Sequence, residues 1–339
     1  MKIFRHFMRR FCIFADMIRI FFISILWTLC FSACEKEVDI EVERIPAKLV
    51  VISNFSTGSA LEPDSLMRVT VSRTSPALTE SDTLIIVPDA LVELYSEDLF
   101  LERLEFRLPT AEEKERGIQP YYTTKNYIPE PGRQYTLEVS APNFRPVTAE
   151  AIIPPILSDS EASISISESV TANGFRQTNY TLDLTINDFP AVPNFYHLNL
   201  YQFVNLLRIS TTGDTSRTEI VIGPLPFNLQ DNSQEVLPYI DNRGALIKDT
   251  NFDGGTERFT FEGSFLYNPG SEELGDFVVE LRNTSEDYYL YHSSLTRQVR
   301  VQSGFDAING AVVLHNNIDN GCGIFAGFTP VFTRLDISD

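Results

Sequence analysis

From Lys48 onward the chain alternates apolar and polar residues in short runs separated by Pro, Gly, Asn and Asp. Lys48–Ser53, Leu66–Ser72, Ala90–Tyr95, Gln134–Ser140 and Val147–Ile153 each read as a strand, alternating or fully apolar, with Pro88-Asp89 and Glu130-Pro131-Gly132 as turn signals between them. Pro154-Pro155 supplies no ladder donors and stiffens the chain, so it marks the expected domain boundary. Beyond it, Ser158–Ser169 alternates Ile and Ser, and Tyr180–Ile186 and Tyr196–Tyr201 alternate again. Phe259–Gly263, Phe277–Leu281, Ala311–Leu314 and Ile324–Phe332 read as later strands, while Gln202–Ile222 reads as a strand, a bent loop and another strand. Only one segment carries a helical period: Tyr288, Tyr291, Leu295 and Val299 recur at three or four residues, behind Thr284 and Asp287 at capping-box spacing. The pattern predicts an all-β chain of two β-sandwich domains, over 47–154 and 155–339, the second larger, with one short helix near 285–299.

The beginning of the chain follows a different pattern. Ile20–Phe31 is an apolar run of 12 residues, preceded by Lys2, Arg5, Arg9, Arg10 and Arg19 and followed by small Ser32 and Ala33. A helix spanning a bilayer needs about 20 apolar residues, so the run reads as a secretory signal rather than a permanent span. Met17 offers an alternative start that would leave a shorter basic region. Ser32-Ala33-Cys34 resembles the bacterial lipobox, with Phe31 where Leu is usual. On that resemblance 1–33 is a removed signal peptide, Cys34 is acylated with chains such as palmitate, and 34–46 is a charged tether to the membrane. An uncleaved anchor, or a plain secretory signal with Cys34 incidental, are the alternatives. Glu35, Lys36, Glu37 and Asp39 resemble the acidic signal that displays lipoproteins on the outer leaflet in the phylum of Bacteroides, so the expected location is the outer membrane, surface-exposed, with a periplasm-facing form as the alternative.

Charge narrows the partners. The chain carries a net charge of −19; without 1–33 it has 22 basic and 45 acidic residues, or −23. Such a field disfavours nucleic acid and favours solubility. Of the four cysteines only Cys322 would remain free, which excludes an intrachain disulfide in the lipidated form. Beside glycines, Cys322 reads as a small packing residue rather than a catalytic thiol.

Candidate chemistry is sparse. His197, His292 and His315 are not paired at metal spacing, and no zinc-protease, dithiol, nucleophile-elbow or phosphate-loop motif occurs. His197 is expected on one strand face with Asn199 and Tyr201. The chain is therefore read as non-enzymatic. Asp249, Asn251 and Asp253 before Gly254 copy the first half of a calcium loop, but the twelfth position is Thr260 rather than a bidentate Glu. The same residues make an ordinary turn, so no cofactor is expected and calcium is the weak candidate. Trp27 lies in the signal, leaving Tyr121, Tyr122, Tyr127 and Tyr289 as candidates for a binding face, against the competing reading of core packing.

Two stretches carry a resemblance. Val87–Leu94 with Pro131–Phe144 resembles the immunoglobulin-like and carboxypeptidase-regulatory-like modules of surface proteins. Asn317–Gly327, together with Ser32-Ala33-Cys34, resembles a lipoprotein family of the Bacteroides phylum described only as a domain of unknown function (number four-two-four-nine). Its members are often encoded beside TonB-dependent outer-membrane transporters, which implies an accessory role in nutrient uptake with the transporter, its substrate, or both as partners. The family has no established catalytic residues. A cell-surface adhesin or structural module is the alternative. Gly321, Gly323 and Gly327 are themselves explained by turns and close backbone approach.

Overall fold

A computed structural model describes residues 46–58, 67–75, 84–157, 160–209, 214–230, 235–304 and 312–337. The expected signal, Cys34 and all of the expected tether but Pro46 lie outside the described residues. Alternating burial along each run turns the period-two pattern into sheets. β1 (Leu49–Ser56), β2 (Arg68–Arg73), β3 (Ile85–Ile86), β4 (Leu91–Ser96), β5 (Leu99–Arg103), β6 (Glu105–Arg107), β7 (Tyr121–Thr123), β8 (Gln134–Ser140) and β9 (Val147–Ile152) build the first half. β10 (Ser160–Val170), β11 (Arg176–Asn187), β12 (Phe195–Ile209), β13 (Thr215–Ile222), β14 (Phe227–Leu229), β15 (Val236–Pro238), β16 (Ala245–Lys248), β17 (Thr256–Tyr267) and β18 (Glu272–Thr284) build the second, and β19 (Cys322–Leu335) ends the chain.

An 11-stranded sheet runs β15-β16-β12-β18-β19-β1-β2-β7-β6, with β13 on β12 and β3 on β2. Two four-stranded sheets, β5-β4-β8-β9 and β10-β11-β17-β14, complete the all-β architecture. Among the described residues the two largest of three apolar clusters lie one in each half. One gathers Val51, Phe55, Val69, Leu94, Tyr135, Leu137 and Phe325 in the first half. The other gathers Leu182, Leu184, Leu198, Leu200, Phe261 and Phe277 in the second.

The expected boundary at Pro154-Pro155 does not divide the sheet. Pro46–Asp339 is one compact unit, because β19 serves both halves. Its first part lies parallel to β1, from Val50↔Cys322 to Ser56↔Phe328. Its second part runs antiparallel to β18, from Thr284↔Phe328 to Phe277↔Leu335. Side chains from the later strands also tie down the diproline: Thr329 Oγ1 donates to the Pro154 carbonyl at 2.5 Å and Asn283 Nδ2 to that of Pro155 at 3.0 Å. Ala311–Leu314, expected as a strand, has none over its described residues 312–314.

Two helices occur. The short α1 (Ala111–Glu115), absent from the sequence expectation, begins in a capping box between Thr110 and Glu113. Tyr121 donates to Glu113 Oε1 at 3.1 Å, Arg68 pairs with the same oxygen at 3.1 Å, and the Arg68 guanidinium lies 5.0 Å from the Tyr121 ring centre. The longer α2 (Glu286–Gln302) fulfils the helical reading, but its N-cap is Ser285, not Thr284. Thr284 ends β18, and its hydroxyl is turned to the Phe195 carbonyl. Asp287 instead accepts from His315 Nε2 at 2.7 Å and Asn317 Nδ2 at 3.2 Å.

The C-terminal glycine motif is structural. The Asn317 side chain both accepts from the Phe325 N–H (3.0 Å) and donates to its carbonyl (2.8 Å), pairing β19 where β18 does not reach. A Cβ on Gly327 would stand 2.5 Å from the Ile152 carbonyl oxygen. Gly323 has φ +121°, and a Cβ there would collide with the backbone of Val51 on β1. Gly323→Ala is therefore expected to destabilise the fold by about 3 kcal/mol or more, from positive-φ strain plus forced separation of β1 and β19. Denaturant unfolding measures this; a loss below about 1 kcal/mol would mean the parallel pair tolerates the methyl group.

Candidate functional site

A buried polar cluster lies where α2 covers the long sheet. Strand alternation places His197, Asn199 and Tyr201 of β12 on one face, as expected, opposite Glu280 and Arg282 of β18. Glu280 is 2 % exposed and accepts from Asn199 Nδ2 (3.0 Å), Arg282 (2.9 Å) and Tyr201 (3.3 Å). Arg282 also donates to the Tyr288 hydroxyl at 3.0 Å and stacks 4.5 Å from the Phe328 ring centre. The same hydroxyl lies 2.9 Å from His197 Nδ1. His197 Nε2 is buried and finds no hydrogen-bond partner among the described residues. His292, from α2, contacts the Tyr239 hydroxyl through Nδ1 at 3.0 Å, and its Nε2 is likewise buried without a partner. Burial, reinforced by the nearby Arg282 charge, holds the His197 pKa well below the usual imidazole range and pushes that of His292 down to about 3. Both rings are neutral at physiological pH and enclosed, so the cluster acts as a polar core under the helix.

The tyrosines expected at a binding face are packed. Tyr121 serves the α1 clamp; Tyr122 donates to the Val87 carbonyl at 2.7 Å and is 2 % exposed. Tyr127 is half-buried, its hydroxyl 3.1 Å from that of Tyr135. Tyr289, expected to point away from the core, is 8 % exposed and lies against Phe195. The helix packs across β16, β12 and β19, so a broader arc of its surface is covered than the three-and-four spacing of Tyr288 and Tyr291 implied.

Asp249 and Asp253 do come together, but with Asp188 rather than Asn251; their carboxylate oxygens lie within 4.8 Å of one another. Asn251 uses its backbone N–H on Glu235 Oε1 at 2.7 Å. The trio knits turns: Asp188 accepts from the Tyr196 hydroxyl and from Gly254 N–H, Asp249 from Asn194 N–H, and Asp253 from Ala191 N–H. Burial raises the Asp249 pKa, with the charges of Asp188 and Asp253 adding to the effect. Most of these oxygens are engaged, against the six to eight that calcium takes. Cys322, expected to be packed, is half-exposed at the start of β19.

With this geometry in hand, comparison with known proteins is informative at the family level. The model of a family described as "Domain of unknown function (DUF4249)" matches residues 35–334. The chain belongs to this family. No curated protein matches it. A solved structure titled "Biofilm associated protein - B domain" shares 8% identity over 84% of this chain and 85% of its own, with a TM-score of 0.17, a likeness too slight to bear on the fold. Asn317–Gly327, the most distinctive stretch of this family member, lies within the matched span and holds β19 in place.

Because both buried histidines resist protonation when folded, the unfolded chain binds more protons than the folded one below about pH 6.5. Stability is thus unaffected by them above that pH and falls as pH drops, down toward pH 3 for His292. The expected loss is about 2 kcal/mol per histidine between pH 8 and pH 5. Unfolding of His292→Leu at both pH values checks it: the drop should shrink by about 2 kcal/mol relative to the unaltered chain, whereas an equal drop would mean His292 titrates normally.

Proposed function

We propose that this family member is a lipid-anchored outer-membrane protein, displayed at the cell surface, that acts as a non-enzymatic accessory subunit of a TonB-dependent uptake system. It binds the transporter, its substrate, or both. The observation that carries this reading is a juxtaposition. The family-matched span opens at residue 35, immediately after Cys34, where the apolar run, Ser32 and Ala33 end and the charged tether begins. Acylation of Cys34 supplies two or three chains, enough for stable anchoring. Among the described residues no helix is long and apolar enough to cross a membrane. All three described histidines have structural partners: Tyr288 for His197, Tyr239 for His292 and Asp287 for His315. The reading needs no cofactor, and the acidic field argues against nucleic acid as a partner. The transporter as partner follows from the resemblance drawn on Asn317–Gly327 and Cys34.

Mass spectrometry of the native protein should find Cys34 acylated at the mature N-terminus, and protease added to intact cells should reach the body. Gentle detergent extraction followed by pull-down should recover a large β-barrel. An unmodified thiol, or a lipoprotein that brings down no barrel and whose loss alters cell contact instead, would replace this reading with the adhesin one.

A further inference from the structure

The sheet β10-β11-β17-β14 turns its apolar side chains inward, leaving a polar outer face. Register brings five groups of that face together. Thr181 of β11 pairs with Glu262 of β17, which pairs with Asn228 of β14; one step along, Asn179 pairs with Ser264. These residues, around Gly263 and Pro226, line an open depression of about 590 Å³, within the range of small-ligand sites. Strand spacing and rise give the five groups a footprint of roughly 10 by 7 Å.

Neighbours set the direction in which these groups offer hydrogen bonds. Gln177 Nε2 donates to Asn179 Oδ1 at 3.0 Å, Asn242 Nδ2 to Asn228 Oδ1 at 2.9 Å, and Gln230 Nε2 to Glu262 Oε1 at 3.0 Å. Each bond occupies an oxygen from the flank. The amide N–H groups of Asn179 and Asn228 and the second oxygen of Glu262 remain, with the Thr181 and Ser264 hydroxyls, which take no partner among the described residues. Donors and acceptors therefore interleave over one small area. Beneath the depression Gly263 leaves room for the buried Tyr180 ring, since a Cβ would meet the Tyr180 hydroxyl and the Pro226 carbonyl. Farther toward the hairpin tips, Leu266 is 62% and Phe175 43% exposed, adding apolar surface at that end of the sheet.

We propose that this depression binds an uncharged, hydroxyl-rich ligand, a neutral carbohydrate chain. Vicinal hydroxyls both donate and accept, matching an interleaved array of amides, hydroxyls and one carboxylate oxygen. An anion would meet Glu262 and the acidic field of the chain, and a cation would find only one carboxylate, already half engaged. The inference rests on the substrate-binding arm of the proposed function and is independent of the transporter arm.

The test uses the full-length lipoprotein in lauryldimethylamine oxide, whose head group is not a sugar. It is applied to an array of neutral and acidic glycans, with calorimetry on the neutral oligosaccharide giving the strongest signal. Binding confined to neutral glycans is expected, weakened about tenfold or more by Asn179→Ala with Asn228→Ala and abolished by Ser264→Arg, which fills the depression. All three positions are exposed, so the melting temperature should hold and report folding separately. No neutral glycan bound, binding only to acidic glycans, or binding unaltered in a folded Ser264→Arg protein would each overturn the proposal. Barrel recovery by the Ser264→Arg protein is scored in parallel. If it persists while glycan binding never appears, this inference fails and the accessory role stands.

Discussion

The parallel pairing of β1 with β19 is the contact on which the two halves depend. It joins the first strand of the described body to the last, and at Phe328 the same strand passes from β1 to β18. Parallel strands sit within sheets covered on both faces, and this pair conforms: Val51 and Phe325 face the first core while Ile52, Ile324 and Ala326 face α2. Gly323 is the tolerance on which the pairing turns, because its conformation and the nearness of Val51 leave no space for a side chain. Asn317 and Ser285 complete the edge of β19, the latter by donating its N–H to the Gly327 carbonyl at 3.0 Å.

Over that junction, α2 buries tyrosines and a charged network together. Isolated buried ion pairs contribute little net stability, and removing one partner is costly because the other is stranded. Here Glu280 is surrounded by three donors and Arg282 by a carboxylate, a phenol and the Phe328 ring. Orphaned nitrogens on His197, His292 and Arg282 show that the network is not fully satisfied. Their cost, on the order of 1–3 kcal/mol for each unmade bond, is offset by the aromatic burial of Tyr288, Tyr289 and Tyr291 around them. Such a cluster fixes the helix in one seating, since a shift by one turn would strand Tyr288 from both His197 and Arg282.

Strand existence was legible because the faces alternate cleanly. Gln134–Ser140 appears as read, and His197, Asn199 and Tyr201 do share a face. What local pattern cannot contain is pairing between distant segments. Nothing in Ile324–Phe332 announced that half of it would lie beside β1, so Pro154-Pro155 looked like a boundary between separate bodies when the later strands in fact grip it. Tyr289 was misplaced for the same reason: spacing defines a stripe, but the surface that receives the helix decides how wide the buried arc becomes. The Asp249–Asp253 loop needed Asp188, 61 residues upstream of Asp249, to show which oxygens converge. Helix α1 left a readable signal in Thr110 and Glu113, the capping-box spacing, but five residues are too few for a periodic stripe. The polar depression left none, since Asn179, Asn228 and Ser264 come from three strands whose neighbourhood only register reveals.

The position of β19 also has a kinetic meaning. A chain made from its N-terminal end completes β1 first and β19 last among the described strands, so the sheet that unites both halves lacks its central strand until both halves have been made. Contacts between such remote segments are slow to form. Until then β1 presents an unsatisfied edge, a state open to capture by chaperones or by a neighbouring chain. Late closure makes the finished sheet a mark that both halves are in place.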